Sequence, residues 1–337
     1  MNLQVAVVGG GSWGTTVAHL TAHNTPTMLW ARSAEVVDQI ERTHVNGRYL
    51  EGFDLHADLR ATTDLGEAVG SADLVVMGVP SHGFRETLVA VRDHIRPGVP
   101  VVSLSKGLEE GTNRRMTQVV ADELPGHPCG VLTGPNLAKE ILAGYAAASV
   151  VAMTEPQIAE RLQEVFATNL FRVYTNDDVV GCEVGGCLKN VVAIASGMAD
   201  GLGTGDNTRS AVITRGLSEI ARLGVRMGGD PLTFSGLAGM GDLVATCMSK
   251  QSRNRHVGEQ LGRGKTIDEI IIEMSQVAEG VKTSRVVMEL SSEYQCEMPI
   301  AEEVYRVCHE GRSAEEAYQG LLGRSTGREM HGLDGSP

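Results

Sequence analysis

Residues 3–14 read LQVAVVGGGSWG, an apolar run followed by Gly9, Gly11 and Gly14 in the spacing GxGxxG. No other stretch constrains the fold so tightly. Leu3–Val8 is apolar nearly throughout, as a strand buried on both faces should be. After such a strand, the first glycine permits a tight turn and the second lets the backbone approach a pyrophosphate. The third allows the next helix to pack closely on the strand. Ser12 and Trp13 lie inside the turn, where free helix N–H groups and a partial positive charge face the phosphates. The spacing alone says little; its weight comes from standing between a buried strand and a helix.

The alternation begun there continues. Strand candidates at Thr27–Trp30, Asp73–Val79, Pro100–Ser105, Cys129–Thr133 and Ala147–Ala152 are separated by helical patterns. Those patterns cover Gly14–His23, Ala34–Arg42, Gly83–His94, Arg114–Glu123 and Gln157–Ala167. Strands alternating with helices imply right-handed crossovers and a parallel, doubly wound α/β sheet of Rossmann type. Beyond about residue 180 the strand signals vanish. Apolar residues at 188, 191, 192, 195, 198, 199 and 202 form a helical stripe. Further helical segments follow around 209–224, 253–262, 266–274, 279–293, 299–310 and 313–322. The sequence therefore predicts a dinucleotide-binding Rossmann domain over 1–178 and a mainly α-helical substrate and catalytic domain over 179–323. A Gly-, Ser- and Arg-containing tail over 324–337 is expected to be flexible.

Glycine accounts for 41 of 337 residues, above the usual ~7%, yet without a Gly-X-Y period, so the excess marks turns and close backbone approaches rather than a fibre. Lys+Arg 29 against Asp+Glu 42 leaves a net charge of −13. That balance excludes nucleic acid and anionic membrane surfaces as expected partners. No apolar run approaches the ~18 residues of a membrane span, and the opening residues carry no signal-peptide pattern. Six scattered cysteines and ten dispersed histidines lack CxxC, HxxH or HExxH spacing. A reduced, cytoplasmic chain without a metal site is expected, with cysteines such as Cys182 used for packing.

The end of the second strand bears on the cofactor. NAD binders usually carry an acid there for the ribose 2′-OH, but this chain reads Leu29-Trp30-Ala31-Arg32-Ser33, with no acid until Glu35. Arg32 suits a 2′-phosphate and the adenine face, and Ser33 adds a hydroxyl. NADP(H) is therefore expected to be preferred, with NAD(H) usable.

Several polar residues stand where chemistry, rather than folding, asks for them. Lys106 follows a strand at its carboxyl end, where open α/β sheets hold ligands. Gly134-Pro135-Asn136-Leu137-Ala138 closes the next strand and starts a helix, while Lys189-Asn190 follows Gly185-Gly186, read as a flexible pair. The run Gly239-Met240-Gly241-Asp242 leads through Thr246 to the basic turn Ser252-Arg253-Asn254-Arg255. Jointly these residues suit the gripping of a small phosphorylated alcohol against a nicotinamide ring. Acidic pairs such as Glu109-Glu110 and Glu302-Glu303 read as solvated faces or helix starts.

These segments resemble the bacterial NAD(P)-dependent glycerol-3-phosphate dehydrogenases. The motifs are GGGSWG at 9–14, LWAR at 29–32, NGRYLEGF at 46–53, VPS at 79–81, SLSKGLE at 103–109 and TGPNLAKE at 133–140. They continue with EVGGCLKN at 183–190, GLAGMGDLVATC at 236–247, SRNR at 252–255, VAEGV at 277–281 and MPI at 298–300. The resemblance implies an oxidoreductase that interconverts sn-glycerol 3-phosphate and dihydroxyacetone phosphate, supplying phospholipid synthesis. By motif, Lys189 matches the catalytic lysine that exchanges the proton on the C2 oxygen, Lys106 the second active-site lysine, and Asp242 the carboxylate beside them. Arg253, Asn254 and Thr246 match the phosphate grip. Gly134, Asn136, Ala138 and Ser252 match the pocket for substrate and nicotinamide, joined by Asn190. Val277 and Glu279 match cofactor contacts, to which Lys106 and Arg253 also contribute. Asn136 stands where many relatives carry Ser or Thr, and Cys182 and Cys187 where smaller or hydroxyl residues are common. Tyr49 either reaches the cofactor or pins the loop after the second helix. A homodimer is expected. Two other readings compete: a different two-domain NADP-dependent hydroxyacid dehydrogenase, and a non-catalytic NADPH-binding redox sensor. The paired lysines and the SRNR turn favour a phosphomonoester substrate over both.

Overall fold

The computed structural model describes residues 3–274 and 278–325. Two compact units divide the chain, Met1–Val179 and Val180–Pro337. Apart from Arg324 and Ser325, the expected tail lies outside the described residues.

The first unit runs β1 (Val5–Val8), α1 (Ser12–Ala22), β2 (Thr27–Trp30), α2 (Ala34–Thr43), β3 (Arg60–Thr62), α3 (Leu65–Val69), β4 (Leu74–Met77) and α4 (Phe84–Arg92). It continues with β5 (Val101–Ser103), α5 (Met116–Glu123), β6 (Cys129–Thr133), α6 (Ala138–Leu142), β7 (Ala147–Met153), α7 (Pro156–Phe166) and β8 (Phe171–Asn176). The strands form one sheet in the order β3-β2-β1-β4-β5-β6-β7-β8. β1 pairs in parallel with β2 on one side and β4 on the other, and all four of its residues are buried. Successive side chains on a strand face opposite ways. Val5 and Val7 accordingly share a core with Val17 of α1, Ile40 of α2 and Leu162 of α7, whereas Ala6 and Val8 share one with Leu88 of α4 and Val119 of α5. This two-sided burial is what makes the central strands read as continuous apolar runs.

Three details depart from the sequence reading. The sheet is not wholly parallel, because β7 runs antiparallel to β6. A strand buried on both faces reads the same in either direction, so its apolar run does not reveal this reversal. β3 and β8 were not anticipated; each lies at a sheet edge, where β8 alternates buried Phe171 and Val173 with exposed Arg172 and Tyr174. Nor is Glu109 simply a solvated acid: Arg85 bonds it through two nitrogens and also reaches Asp122 and Glu123.

The loop between α2 and β3 lies along α1 and is tied to it. Near its end, His56 packs against His19 of α1 and His23 just after it, with His23 and His56 ring centroids 4.3 Å apart. The His56 backbone N–H donates to His19 Nδ1 at 2.9 Å, which requires that nitrogen to be unprotonated. Burial, then the proximity of His23 and His56, lowers the His19 pKa from 6.5 to about 4. Between those values the unfolded chain binds more protons at this site than the folded one. Its stabilising contribution is therefore complete above about pH 6.5 and declines as pH falls toward about 4. Thermal unfolding followed from about pH 7 to about pH 5 should show a shallower decline of Tm for His19→Gln than for the parent chain.

The second unit contains α8 (Val179–Gly201), α9 (Asp206–Arg226), α10 (Asp242–Met248), α11 (Arg253–Gly262), α12 (Ile267–Glu273), α13 (Glu279–Glu293), α14 (Pro299–His309) and α15 (Ala314–Leu322). No strand occurs in it among the described residues. Gly185 and Gly186 lie inside α8, a continuous helix, rather than at a flexible joint. By length and composition α8 would reach across a bilayer, with mean hydropathy 1.4, contrary to the expectation drawn from apolar runs alone. The same window is 94% buried inside the protein, so it is read here as a core helix. Glu303 of α14 is likewise buried, paired with Arg306 and Arg312.

Glycines bring α8 and α11 together backbone to backbone. A Cβ on Gly258 would sit 2.0 Å from the Ile194 carbonyl oxygen, and one on Gly197 would sit 2.1 Å from that of Arg255. Gly201 and Gly262, one turn further along, are equally closed, with Glu259 O at 2.3 Å and Met198 O at 2.5 Å. Before α10, the segment Leu237–Gly241 forms a π turn, in which Gly241 N donates to Gly236 O across five residues.

Candidate active site

The glycine-rich turn joins β1 to α1, and Gly11 is the residue preceding the helix. Gly9 adopts φ +129°, and a Cβ there would lie 2.6 Å from Gly78 O. One on Gly14 would lie 2.1 Å from Gly9 O, whereas one on Gly11 would meet nothing within 4 Å. Closure at 9 and 14 with open space at 11 fits a dinucleotide pyrophosphate, which needs a tight turn and an approachable backbone. Ser12 Oγ donates to the carbonyl oxygen of Tyr49 at 3.3 Å, so Tyr49 meets the turn through its backbone. Its ring lies under the Arg48 guanidinium, 5.3 Å from the centroid. Trp13 packs on the core beside Phe171, with its indole N–H buried and unpaired.

Arg32 is exposed just beyond β2 and forms no ion pair among the described residues. Ser33 caps α2, its Oγ accepting from Val36 N at 3.4 Å. This use of the hydroxyl was not anticipated.

A second group gathers at the carboxyl ends of β5 and β6. Lys106 Nζ donates to the Gly134 carbonyl at 2.8 Å. Gly134 has φ +134°, where a side chain would be strained and would crowd Ser149. Asn136 Nδ2 donates to Ser149 Oγ at 3.1 Å, and Ser149 Oγ donates to Thr133 O. Asn136 Oδ1 and Thr133 Oγ1 remain buried without partners, a cost that a bound polar ligand would relieve. Thr133 and Ser149 were not singled out from the sequence, and only the β6–β7 register brings them here. Ala138 opens α6 beside this group.

In the second unit, Lys189 Nζ lies 2.9 Å from Asp242 Oδ1 and donates to Thr246 Oγ1 at 2.5 Å. The two charged side chains are 7% and 3% exposed. The local sequence explains the meeting. Gly185 lies one turn before Lys189 on the same face of α8, and a Cβ there would be 2.7 Å from Ala238 O. The π turn thus rests its backbone on α8, and Asp242 and Thr246, four residues apart, follow directly onto Lys189. Cys187 and Cys247 are buried near the pair. Burial, above all else, pushes both thiols up to about 12, leaving them unreactive at neutral pH.

The basic turn opens α11. Ser252 caps the helix, its Oγ accepting from Arg255 N, while Arg253 is exposed in the first turn. Asn254 is buried and bridges two elements: its Nδ2 donates to Asn190 Oδ1 at 2.9 Å, and its Oδ1 accepts from Gly280 N at 2.9 Å. Arg255 bonds Asp200 of α8, holding the turn to that helix. Glu279 begins α13, and Val277 lies outside the described residues. Within one unit Lys189 is thus bonded to Asp242 and Thr246, and Asn190 to Asn254; within the other Lys106 is bonded to Gly134, and Asn136 to Ser149.

Models of the NAD-dependent glycerol-3-phosphate dehydrogenase N-terminus and C-terminus match residues 4–159 and 178–319. A glycerol-3-phosphate dehydrogenase [NAD(P)+] of Sphingopyxis alaskensis is 57% identical over 98% of this chain and 99% of its own. One of Mycobacterium avium is 58% identical over 98% and 97%. Among solved structures, glycerol-3-phosphate dehydrogenase from Coxiella burnetii superposes with a TM-score of 0.90 at 38% identity, covering 96% of this chain and 99% of that one. With two matching halves and relatives of this similarity over nearly its whole length, the chain belongs to the NAD-dependent glycerol-3-phosphate dehydrogenase family.

Proposed function

We propose that the protein interconverts sn-glycerol 3-phosphate and dihydroxyacetone phosphate, with NADP(H) preferred to NAD(H). As a member of its family it is an NAD(P)-dependent oxidoreductase. The observation that carries the chemical reading is the buried Lys189–Asp242 pair, an ammonium withdrawn from water and held in one orientation.

Bound NAD(P)H supplies the hydride that reduces C2 of the ketone. As charge develops on the C2 oxygen, Lys189 donates a proton to it. Two of its N–H bonds are directed at Asp242 and Thr246, which leaves the third for the substrate. Asp242 keeps the ammonium in line. Lys106 stabilises the developing negative charge, a contribution that grows where water is excluded. Arg253 and the N-terminal N–H groups of α11 bind the substrate phosphate, so that binding energy remote from C2 orients the reacting carbon. Gly134, Asn136, Asn190, Thr246, Ser252 and Asn254 line the substrate. Gly9, Gly11, Ser12, Trp13 and Gly14 take the pyrophosphate, and Arg32 and Ser33 the 2′-phosphate. Tyr49, Lys106, Ala138, Arg253, Val277 and Glu279 complete the cofactor contacts. In this reading residues 1–178 bind the dinucleotide and 179–323 carry substrate binding and catalysis. The working form is a cytoplasmic homodimer supplying glycerol 3-phosphate to phospholipid synthesis.

NADPH oxidation followed with dihydroxyacetone phosphate, with NADH in parallel, tests both halves of the proposal. Turnover should depend on the ketone, with a higher kcat/KM for NADPH. Arg32→Ala should cost roughly 10- to 100-fold with NADPH, the size of a lost charge-assisted contact, and leave NADH nearly unchanged. No ketone-dependent oxidation would defeat the substrate reading. Equal kcat/KM for both cofactors, unmoved by the substitution, would defeat the preference.

A further inference from the structure

The amide of Asn46 reaches the glycine-rich turn from beneath. Asn46 is fully buried in the loop between α2 and β3. Its Nδ2 donates to Gly10 O at 3.0 Å and to Thr15 Oγ1 at 2.9 Å. Its own carbonyl accepts from Tyr49 N and Leu50 N, so the side chain is presented by a rigid turn. The loop is held to α1 elsewhere as well, by Ser12 with Tyr49 and by His19 with His56. Gly10 is also closed to a side chain, since a Cβ there would lie 2.7 Å from the Ala31 Cβ.

We infer that Asn46 is a positioning residue for dinucleotide binding, acting by fixing the direction of one peptide group. This inference rests on the cofactor reading of the glycine-rich turn. The peptide joining Gly10 to Gly11 is planar and trans, so its C=O and N–H point in opposite directions. Drawing the Gly10 carbonyl toward Asn46 turns the Gly11 N–H away from the loop. Gly11 precedes α1, so that N–H belongs with the helix-terminal donors that have no partner within the helix. Glycines on both sides give this peptide little intrinsic preference. Without the amide, the turn would have to select the phosphate-binding orientation from several during binding, and affinity would fall accordingly.

The test compares Asn46→Ala with Thr15→Val, which removes the other bond of the same amide but spares the one to Gly10. Kd for NADPH and NADH, KM for dihydroxyacetone phosphate, kcat and Tm are measured on the full chain. Asn46→Ala should weaken both dinucleotides by the same factor, about tenfold, the scale of one buried hydrogen bond. Its kcat and ketone KM should stay within about twofold. Thr15→Val should lower Tm to a similar extent while leaving both Kd values within about twofold. Asn46→Asp keeps the shape but sets an oxygen against Gly10 O, and should reproduce the loss if the alanine variant does not fold. Unchanged dinucleotide Kd in a folded Asn46 variant overturns the inference, as does an equal loss in Thr15→Val. A parent chain that binds neither NADPH nor NADH overturns the cofactor reading itself, and the inference with it.

Discussion

Lys189→Ala should lose roughly 10³-fold in kcat, within the range contributed by a positioned general acid, while NADPH still binds. Stability should fall too. Asp242 is 3% exposed on its side chain, and removing its ammonium leaves a buried carboxylate with a lost counter-charge, a change worth about 3–5 kcal/mol. The two losses are separable. In Lys189→Met combined with Asp242→Asn, neither residue is charged, so most of the lost stability should return while the enzyme stays inactive. Steady-state rates and thermal unfolding of the single and double variants read the two effects apart. A single variant with turnover near that of the parent chain would remove Lys189 from the chemistry.

Gly258→Ala should be among the most destabilising small substitutions available in the second unit. The added methyl would lie 2.0 Å from Ile194 O and 2.9 Å from Met198 N, both backbone atoms of α8, so no side chain can swing aside. The helices must separate, at the upper end of the ~1–3 kcal/mol that overpacking usually costs. A fall in Tm on the order of 10 °C is expected. Because α11 begins with Arg253, the KM for dihydroxyacetone phosphate should rise with it. Gly197→Ala strikes the same contact from the other helix. The double variant should therefore lose less than the sum of the two, since the first methyl has already opened the interface. Additive losses would mean that the glycines act independently.

What the sequence disclosed, and what it hid, follows the range of the interactions involved. β1, its turn and α1 are neighbours in the chain, and their apolar pattern and glycine spacing can be read directly. Lys189 and Asp242 are far apart in sequence; their residue types suggested a shared task, but not that the two side chains would touch. Three-residue β3 and five-residue α3 are too short to display a period. α8 was seen only in part, because paired glycines look like a hinge until a neighbouring backbone is found resting on one of them. The antiparallel direction of β7 leaves no mark in its own residues, because a buried apolar run reads alike both ways. Asn46 and Thr133 open quoted motifs and Ser149 lies in a plain apolar run, but the roles of all three show only in what the fold lays beside them.

The π turn has a consequence for chain length. A π turn closes its hydrogen bonds over one more residue than an α turn, so everything after it is advanced by about 100° around the helix axis. Asp242 and Thr246 meet Lys189 in that advanced phase. Dropping any one residue between 237 and 241 would restore the ordinary helical count and swing both away from the lysine, although no catalytic or binding side chain would have been removed. In this segment the count of residues, rather than their identity, carries the alignment of the ion pair. A single in-frame codon deletion could therefore silence an enzyme whose functional side chains are all still encoded.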